Sequence, residues 1–357
     1  MRWGFAYRTL EKKSCSCDNQ ALSDNGSGGS AMTKDKSGLL GRREFLGTLT
    51  VAATGALPAA ARAAGENAAE LSPAPNVVDF HNHYVGPNFP LTTLTKAPPA
   101  LQPVWQAINR NLADPGALLA SIEQAGIAGR VINTPTAFLE DADGNVPPDM
   151  IPRINDAVAE LVRKSPGRLY GLATVDAYAG DAAARELTRA VKELGLRGVF
   201  VESAKGDLLP NASEARPTFA TAAALGVPVF VHPVTDPAMH NRFKRLGPLG
   251  VRLARANINA AALVALLEGG VFDELPNLRV VVTTLAVGGV LLAGGFGDGA
   301  RLRSDAPSLT RRHVYIDTMG LHPVLLRAAV DLLGADHVLV GTDWPIAAEK
   351  SVPERLA

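Results

Sequence analysis

Residues 182–201 read AAARELTRAVKELGLRGVFV, and the fold follows from how this stretch is punctuated. Leu187, Ala190, Val191 and Leu194 recur at helical spacing with Arg and Glu between them, which predicts an amphipathic helix over Ala182–Leu194. Gly195 stands where a helix C-cap belongs, and Gly198–Val201 then reads as a strand. A helix that hands over through glycine to an apolar strand is the repeating unit of a parallel sheet with crossover helices.

That unit recurs on both sides from Asn76 onward. Strands are predicted near Val77–His81, Arg130–Asn133, Leu169–Val175, Val227–His232, Leu278–Thr283, Val314–Asp317 and His337–Gly341, besides Gly198–Val201. Helical stretches include Pro152–Lys164, Thr218–Leu225 and Pro323–Leu333, with Gly226 and Gly334 as further C-caps. Eight alternations in about 280 residues have the size and rhythm of an α/β protein of the (β/α)8 TIM-barrel type. A doubly wound open sheet is the rival, but no Gly-rich dinucleotide fingerprint follows the first strand. The Pro-rich segment Gly86–Pro115, which carries Trp105, reads as an insertion that either roofs the site or is a surface excursion.

Ahead of this body, residues 1–75 read as a leader and residues 76–357 as the barrel domain. The chain up to Ser37 is polar and aperiodic, which predicts disorder. Gly41-Arg42-Arg43-Glu44-Phe45-Leu46-Gly47 and the weakly apolar run Leu49–Ala61 resemble a bacterial twin-arginine export signal, with small-residue cleavage options at 59–63. Export to the periplasm or the exterior is therefore expected. Met32 is an alternative start, and a processed chain would then lack Cys15 and Cys17. Those two cysteines are too few and too badly placed for a disulfide framework or a thiolate metal site.

The chain has 357 residues, 47% of them hydrophobic, and Lys plus Arg balance Asp plus Glu at 35 each. No net field exists to attract nucleic acid or an anionic membrane, so a small-molecule partner is the default. No stretch stands out as the ~20 apolar residues that a membrane-spanning helix requires.

The chemistry-bearing residues fall at strand ends. His81-Asn82-His83 closes the first strand, and residues two apart in an extended chain face the same side. His232 ends Val229-Phe230-Val231-His232-Pro233, and Asp343 follows the last strand in Gly341-Thr342-Asp343-Trp344-Pro345. A buried carboxylate there is costly without a cation or hydrogen-bond donors. All four fall at the C-terminal ends of strands, the face where barrel enzymes keep their active sites. They therefore form a candidate site for one divalent metal with imidazole ligands.

With these motifs in view, Val77–Trp344 resembles the amidohydrolase superfamily, in the amidohydrolase-related group that includes aminocarboxymuconate-semialdehyde decarboxylase. The resemblance rests on Val78-Asp79-Phe80-His81-Asn82-His83-Tyr84, Gly195-Leu196-Arg197-Gly198-Val199, the His232-Pro233 strand end and Gly341–Pro345. It implies one metal ion, usually zinc and alternatively manganese, held by His81, His83, His232 and Asp343. Asp343 would in addition accept or deliver a proton. The chain departs from the family at Thr284, which stands where a proton-relaying histidine is expected. Threonine hydrogen-bonds but does not titrate near neutral pH.

Thr284, Trp344 and Arg242 are the candidate substrate contacts, with Lys244 and Arg245 beside Arg242 in a loop that either clamps a carboxylate or is simply solvated. Asp317 reads either as an orienting or as a structural carboxylate, and Glu202 and Lys205, which follow the fourth strand where some relatives of the superfamily carry a bridging ligand, as surface groups or as supports behind the ligands. His240, His322 and His337 read as ordinary polar positions, and His313 as part of a solvated loop. The function implied is non-oxidative decarboxylation of a small aromatic or unsaturated carboxylic acid. The alternatives are hydrolysis of a lactone, ester or amide, and a metal-binding barrel without turnover. A homodimer is compatible with the sequence, and the chain ends after Pro345 with room for only a short last helix.

Overall fold

The structure is a computed structural model that describes residues 76–91, 99–141, 145–283, 286–295, 306–320 and 322–347. The expected leader and export signal, Met32, the two cysteines, Thr284 and the expected short last helix lie outside those residues. Everything described belongs to the second of two units into which the chain divides, Leu71–Ala357.

Among the described residues nine short strands follow one another, β1 Val78–His83, β2 Gly129–Asn133, β3 Leu169–Gly171, β4 Ala173–Thr174, β5 Val199–Glu202, β6 Val229–His232, β7 Val280–Val282, β8 Val314–Asp317 and β9 Val338–Leu339. They form two sheets in sequence order, β1-β2-β3 and β4-β5-β6-β7-β8-β9, and every pairing between neighbours is parallel. Strands β3 and β4 are separated only by Leu172, whose N–H donates to Ile132 O at 2.9 Å while the next N–H, of Ala173, donates to Gly198 O at 2.8 Å. The chain thus changes partner at one residue, and the single strand expected over Leu169–Val175 is present with a break.

The other seam joins the two ends of the order. Phe80 N–H donates to Val340 O at 2.7 Å, Asp343 N–H to His81 O at 2.9 Å and His83 N–H to Trp344 O at 2.8 Å. Asn82 and Trp344 form an isolated parallel bridge. Neither seam carries a continuous ladder, yet both are hydrogen-bonded, which is the (β/α)8 arrangement. The interior agrees. Val131, Leu172, Phe200, Phe230 and Val281 form one apolar cluster, with Val78, Phe80, Tyr170, Tyr315 and Leu339 packed against it. The alternate residues, among them Ile132, Val199, Val201, Val229, Val231, Val280, Val282 and Ile316, belong to the larger core. Burial on both faces is why these strands read as continuous apolar runs.

The helices are α1 Gln102–Ala113, α2 Pro115–Gln124, α3 Met150–Lys164, α4 Asp181–Lys192, α5 Arg216–Leu225, α6 Pro237–Phe243, α7 Pro248–Glu268, α8 Val271–Glu274, α9 Val287–Gly295, α10 Ala306–His313 and α11 Pro323–Leu333. In α4 the buried residues are Ala183, Leu187 and Ala190; of the expected stripe Val191 is half-buried, and Leu194, also half-buried, lies beyond the helix end at Lys192. Gly226 ends α5 in the left-handed conformation (φ 68°), donating to Ala222 O and Ala223 O. The segment Gly86–Pro115 is not wholly an excursion. Its second half is α1, which buries Ile108 and Leu112.

Helix α7 corrects the expectation that nothing is long enough to span a bilayer. Its 21 residues satisfy length and composition, although the helix includes Arg252 and Arg255. Ala254, Ile258, Ala262, Leu263 and Leu266 on it are core residues, so its apolar character is explained by packing on the barrel.

Candidate metal centre

Strand β1 does not alternate simply. Its register against β2 shifts between Asp79 and Asn82, and both Phe80 and His81 lie against the Phe230 ring, at centroid separations of 5.3 and 4.9 Å. An irregularity of this kind re-aims side chains at a barrel rim. It carries His81 and His83 inward together, with ring centroids 5.1 Å apart and planes at 84°. His232 joins from the end of β6 at 5.4 Å from His81 and 5.1 Å from His83. One ligating nitrogen from each of the three lies within 4.8 Å of the others.

Asp343 completes the group. Its φ of 63° is left-handed, a conformation that Asp and Asn adopt more readily than other side-chain-bearing residues. Its N–H donates to His81 O, and its own carbonyl accepts from Ile346 N–H at 2.7 Å and Ala347 N–H at 3.0 Å. The bend so fixed puts Asp343 Oδ1 3.1 Å from His83 Nε2 and 3.4 Å from His81 Nε2.

The imidazoles are oriented from behind. Asp317, fully buried at the end of β8, accepts from His81 Nδ1 at 2.6 Å. Asn133, at the end of β2, accepts from His83 Nδ1 at 2.9 Å. With Nδ1 carrying the proton, each Nε2 turns an unshared pair toward the cluster, the tautomer a metal ligand needs. The close approach of Asp317 to His81 depends on Gly341, where a Cβ would stand 2.8 Å from Asp317 Cβ and 3.0 Å from His81 Cβ.

The donor set fits a divalent cation. His81 Nε2 is buried and has no hydrogen-bond partner among the described residues, an arrangement that costs free energy unless something else satisfies it. Burial pushes His83 down and His232 well below the usual imidazole range, in His232 with the other two imidazoles adding to the effect. In His81 burial acts the same way, but the Asp317 and Asp343 carboxylates outweigh it and raise the net value. Asp343 is raised by burial, yet His81 and the His83 hydrogen bond outweigh that and hold it below the ordinary carboxylate range.

Beneath the cluster lies a buried charge network. Arg130 Nη1 pairs with Asp79 Oδ2 and donates to Asn82 Oδ1 at 2.5 Å and Thr342 Oγ1 at 3.1 Å, while Arg130 Nε donates to Ser121 Oγ at 3.0 Å. Asp79 also accepts from Thr342 Oγ1 at 2.6 Å and from the N–H groups of Thr342 and His81 at 3.1 and 3.2 Å. Burial pushes the Asp79 carboxyl up against the pull of Arg130. The network ties β1 and β2 to the segment that presents Asp343.

Of the remaining candidates, Asp317 resolves as an orienting residue. Trp344 is buried, with the Arg130 guanidinium 5.5 Å from its ring centre. Arg242 is exposed on α6 and forms no hydrogen bond or ion pair among the described residues. Glu202, at the end of β5, accepts from Thr136 Oγ1 and from Ala137 N–H at 3.3 Å. Burial raises its carboxyl above the ordinary range. Lys205 pairs with Asp176 at 2.5 Å. His240 on α6 is partly buried, His322 caps α11, and His337 stacks on Tyr315 at 4.3 Å.

His313 is a correction. It is 1% exposed, stacks on Phe272 at 4.6 Å and bonds Leu278 O through Nδ1 at 2.8 Å, so the basic run before it is solvated but the histidine is not. Residues the sequence reading passed over are Arg130, Asn133 and Arg255. For Arg130 a signal existed, since a charge inside an apolar strand must find a buried partner.

A family model described as amidohydrolase matches residues 78–357. The chain is 26% identical over 262 residues to 2-amino-3-carboxymuconate-6-semialdehyde decarboxylase of Dictyostelium discoideum, covering 71% of this chain and 72% of that one. It is 29% identical over 231 residues to gamma-resorcylate decarboxylase of Rhodococcus jostii (strain RHA1), covering 55% of this chain and 66% of the relative. The crystal structure of 2,6-dihydroxybenzoate decarboxylase from Rhizobium superposes with a TM-score of 0.63 at 22% identity, over 79% of this chain and 95% of that chain. Dihydroxybenzoic acid decarboxylase from Polaromonas sp. JS666, with bound manganese and 2-nitroresorcinol, gives 0.65 at 22% identity, over 78% and 89%. The structural likenesses establish the barrel fold.

Proposed function

Because the chain belongs to the amidohydrolase family, we propose that it is a metal-dependent, non-oxidative decarboxylase of a small aromatic carboxylic acid. The observation that carries this is the convergence of three imidazoles and the Asp343 carboxylate at one end of the ring. The decarboxylase names of the relatives select the reaction. His81, His83, His232 and Asp343 would hold a single divalent ion, and the nitrogen-rich set favours zinc, with the manganese of the Polaromonas structure as the alternative. Such an ion, when bound, polarises substrate oxygens and neutralises their charge.

The chain's own part is proton handling and positioning. Asp343, held below the ordinary carboxylate range, is ionised at neutral pH and is a strong acid whenever it carries a proton drawn from solvent water. Delivered to the ring carbon that bears the carboxylate, that proton forms the new C–H bond. The C–C bond then breaks, its electron pair returns to the ring and carbon dioxide leaves. Asp317 and Asn133 hold the two strand-one imidazoles in place throughout.

The deciding experiment is carbon dioxide release from benzoate-type acids, 2,6-dihydroxybenzoate first, by metal-supplied protein. Stoichiometric carbon dioxide and the decarboxylated arene are expected. Turnover of a lactone or ester, with no gas from any aromatic acid, would identify a hydrolase instead; failure with all of them would leave a binding barrel.

We further propose export by the twin-arginine route for the chain with its leader. A reporter fused behind residues 1–75 is expected to leave the cytoplasm, and to stay there when Arg42 and Arg43 both become lysine. Export that persists in the double variant would refute this.

A further inference from the structure

A cationic side chain is the natural match for a substrate carboxylate, and Arg242 on α6, with Lys244 and Arg245 just after it, is exposed. Helix α7 supplies a different cation. Arg255 lies in its first half and is partly buried. Its Nη1 reaches Thr235 Oγ1, three residues beyond His232, in a hydrogen bond of 3.4 Å.

The Arg255 charge is felt at three strand ends. It lowers His232 and Asp343, and in return Asp343 and Glu202 act on the guanidinium. His232 and Glu202 end β6 and β5, and Asp343 follows β9; the bond to Thr235 sets the guanidinium just past the end of β6. Among the described residues it has one long hydrogen bond and no ion pair within contact distance. Most donors of its planar fork are thus left for another acceptor, and a carboxylate matches that fork in two parallel bonds.

We propose that Arg255 is the substrate-anchoring residue, its guanidinium binding the carboxylate of the aromatic acid at the barrel mouth beside His232 and Asp343. This rests on the aromatic-acid reading above, and the test separates the two.

The probes are benzoate and benzamide, alike in ring and size but differing in charge, titrated by calorimetry into metal-supplied wild type, Arg255→Gln and Arg255→Lys. Benzoate affinity is expected to fall about tenfold or more in Arg255→Gln and by less in Arg255→Lys, which keeps the charge but loses the fork. Benzamide affinity should stay within about twofold, because no ionic contact is lost. Metal content and melting temperature are read alongside. If Arg255→Gln fails to fold, the same contrast is read from Arg255→Lys alone.

Equal losses for both probes, an unchanged benzoate affinity in both variants, or a wild type that binds no benzoate each overturn the proposal. Failure of the aromatic-acid reading looks different: no carbon dioxide from any acid, with the benzoate-selective loss still present.

Discussion

Asp343→Asn is expected to reduce turnover about a thousandfold while leaving the fold intact. Asparagine tolerates the left-handed backbone that Asp343 adopts at φ 63°. The turn that joins Asp343 to His81, Ile346 and Ala347 is made entirely of main-chain bonds, which an amide side chain does not disturb. What disappears is the negative charge between the Nε2 atoms of His81 and His83 and the capacity to carry a proton. Metal affinity falls as well, so kcat is measured at saturating manganese, with circular dichroism to confirm the fold. A kcat within about tenfold of wild type would show that the proton travels through another group.

Arg130→Met is expected to be the most destabilising single change in the barrel, at about 3–5 kcal/mol by denaturant titration. The reason is the Asp79 carboxylate, fully buried and paired with Arg130. Without the guanidinium the carboxyl must either stay charged or take up a proton in a dry interior, with only Thr342 and two N–H groups around it. Adding Asp79→Asn to the variant should recover part of the loss, because the unpaired charge is then gone. A loss below about 1 kcal/mol would mean that the network adds nothing beyond packing.

How much could be read without coordinates depended on how local the cause was. Strands β5, β6 and β8 carry apolar residues on both faces, and that marks them whatever surrounds them; Val314–Asp317 and Pro323–Leu333 fall where expected, end to end. Strand β1 runs through His83, as the His81-Asn82-His83 spacing implies, and its last residues find main-chain partners in Asn133 and Trp344; no local pattern announces a partner as far along the chain as Trp344. The residues of the candidate site were conspicuous for a related reason, as polar groups ending apolar runs. The residues that orient them were ambiguous or invisible. Asp317 lies 236 positions from His81, Asp79 and Arg130 are 51 apart, and Arg255 sits in a helix whose other arginine, Arg252, is exposed. His313 was misplaced because the arginines before it are solvated, whereas its ring turns inward onto Phe272.

The assembly of His81, His83, His232 and Asp343 around one ion is tested most directly by metal analysis of the purified chain, wild type against His232→Ala, after exposure to manganese and zinc and removal of the excess. The wild type should retain about one divalent ion per chain and the variant less than about a tenth of that. Equal retention by both proteins, or none in the wild type, would mean that these four side chains do not form a metal centre.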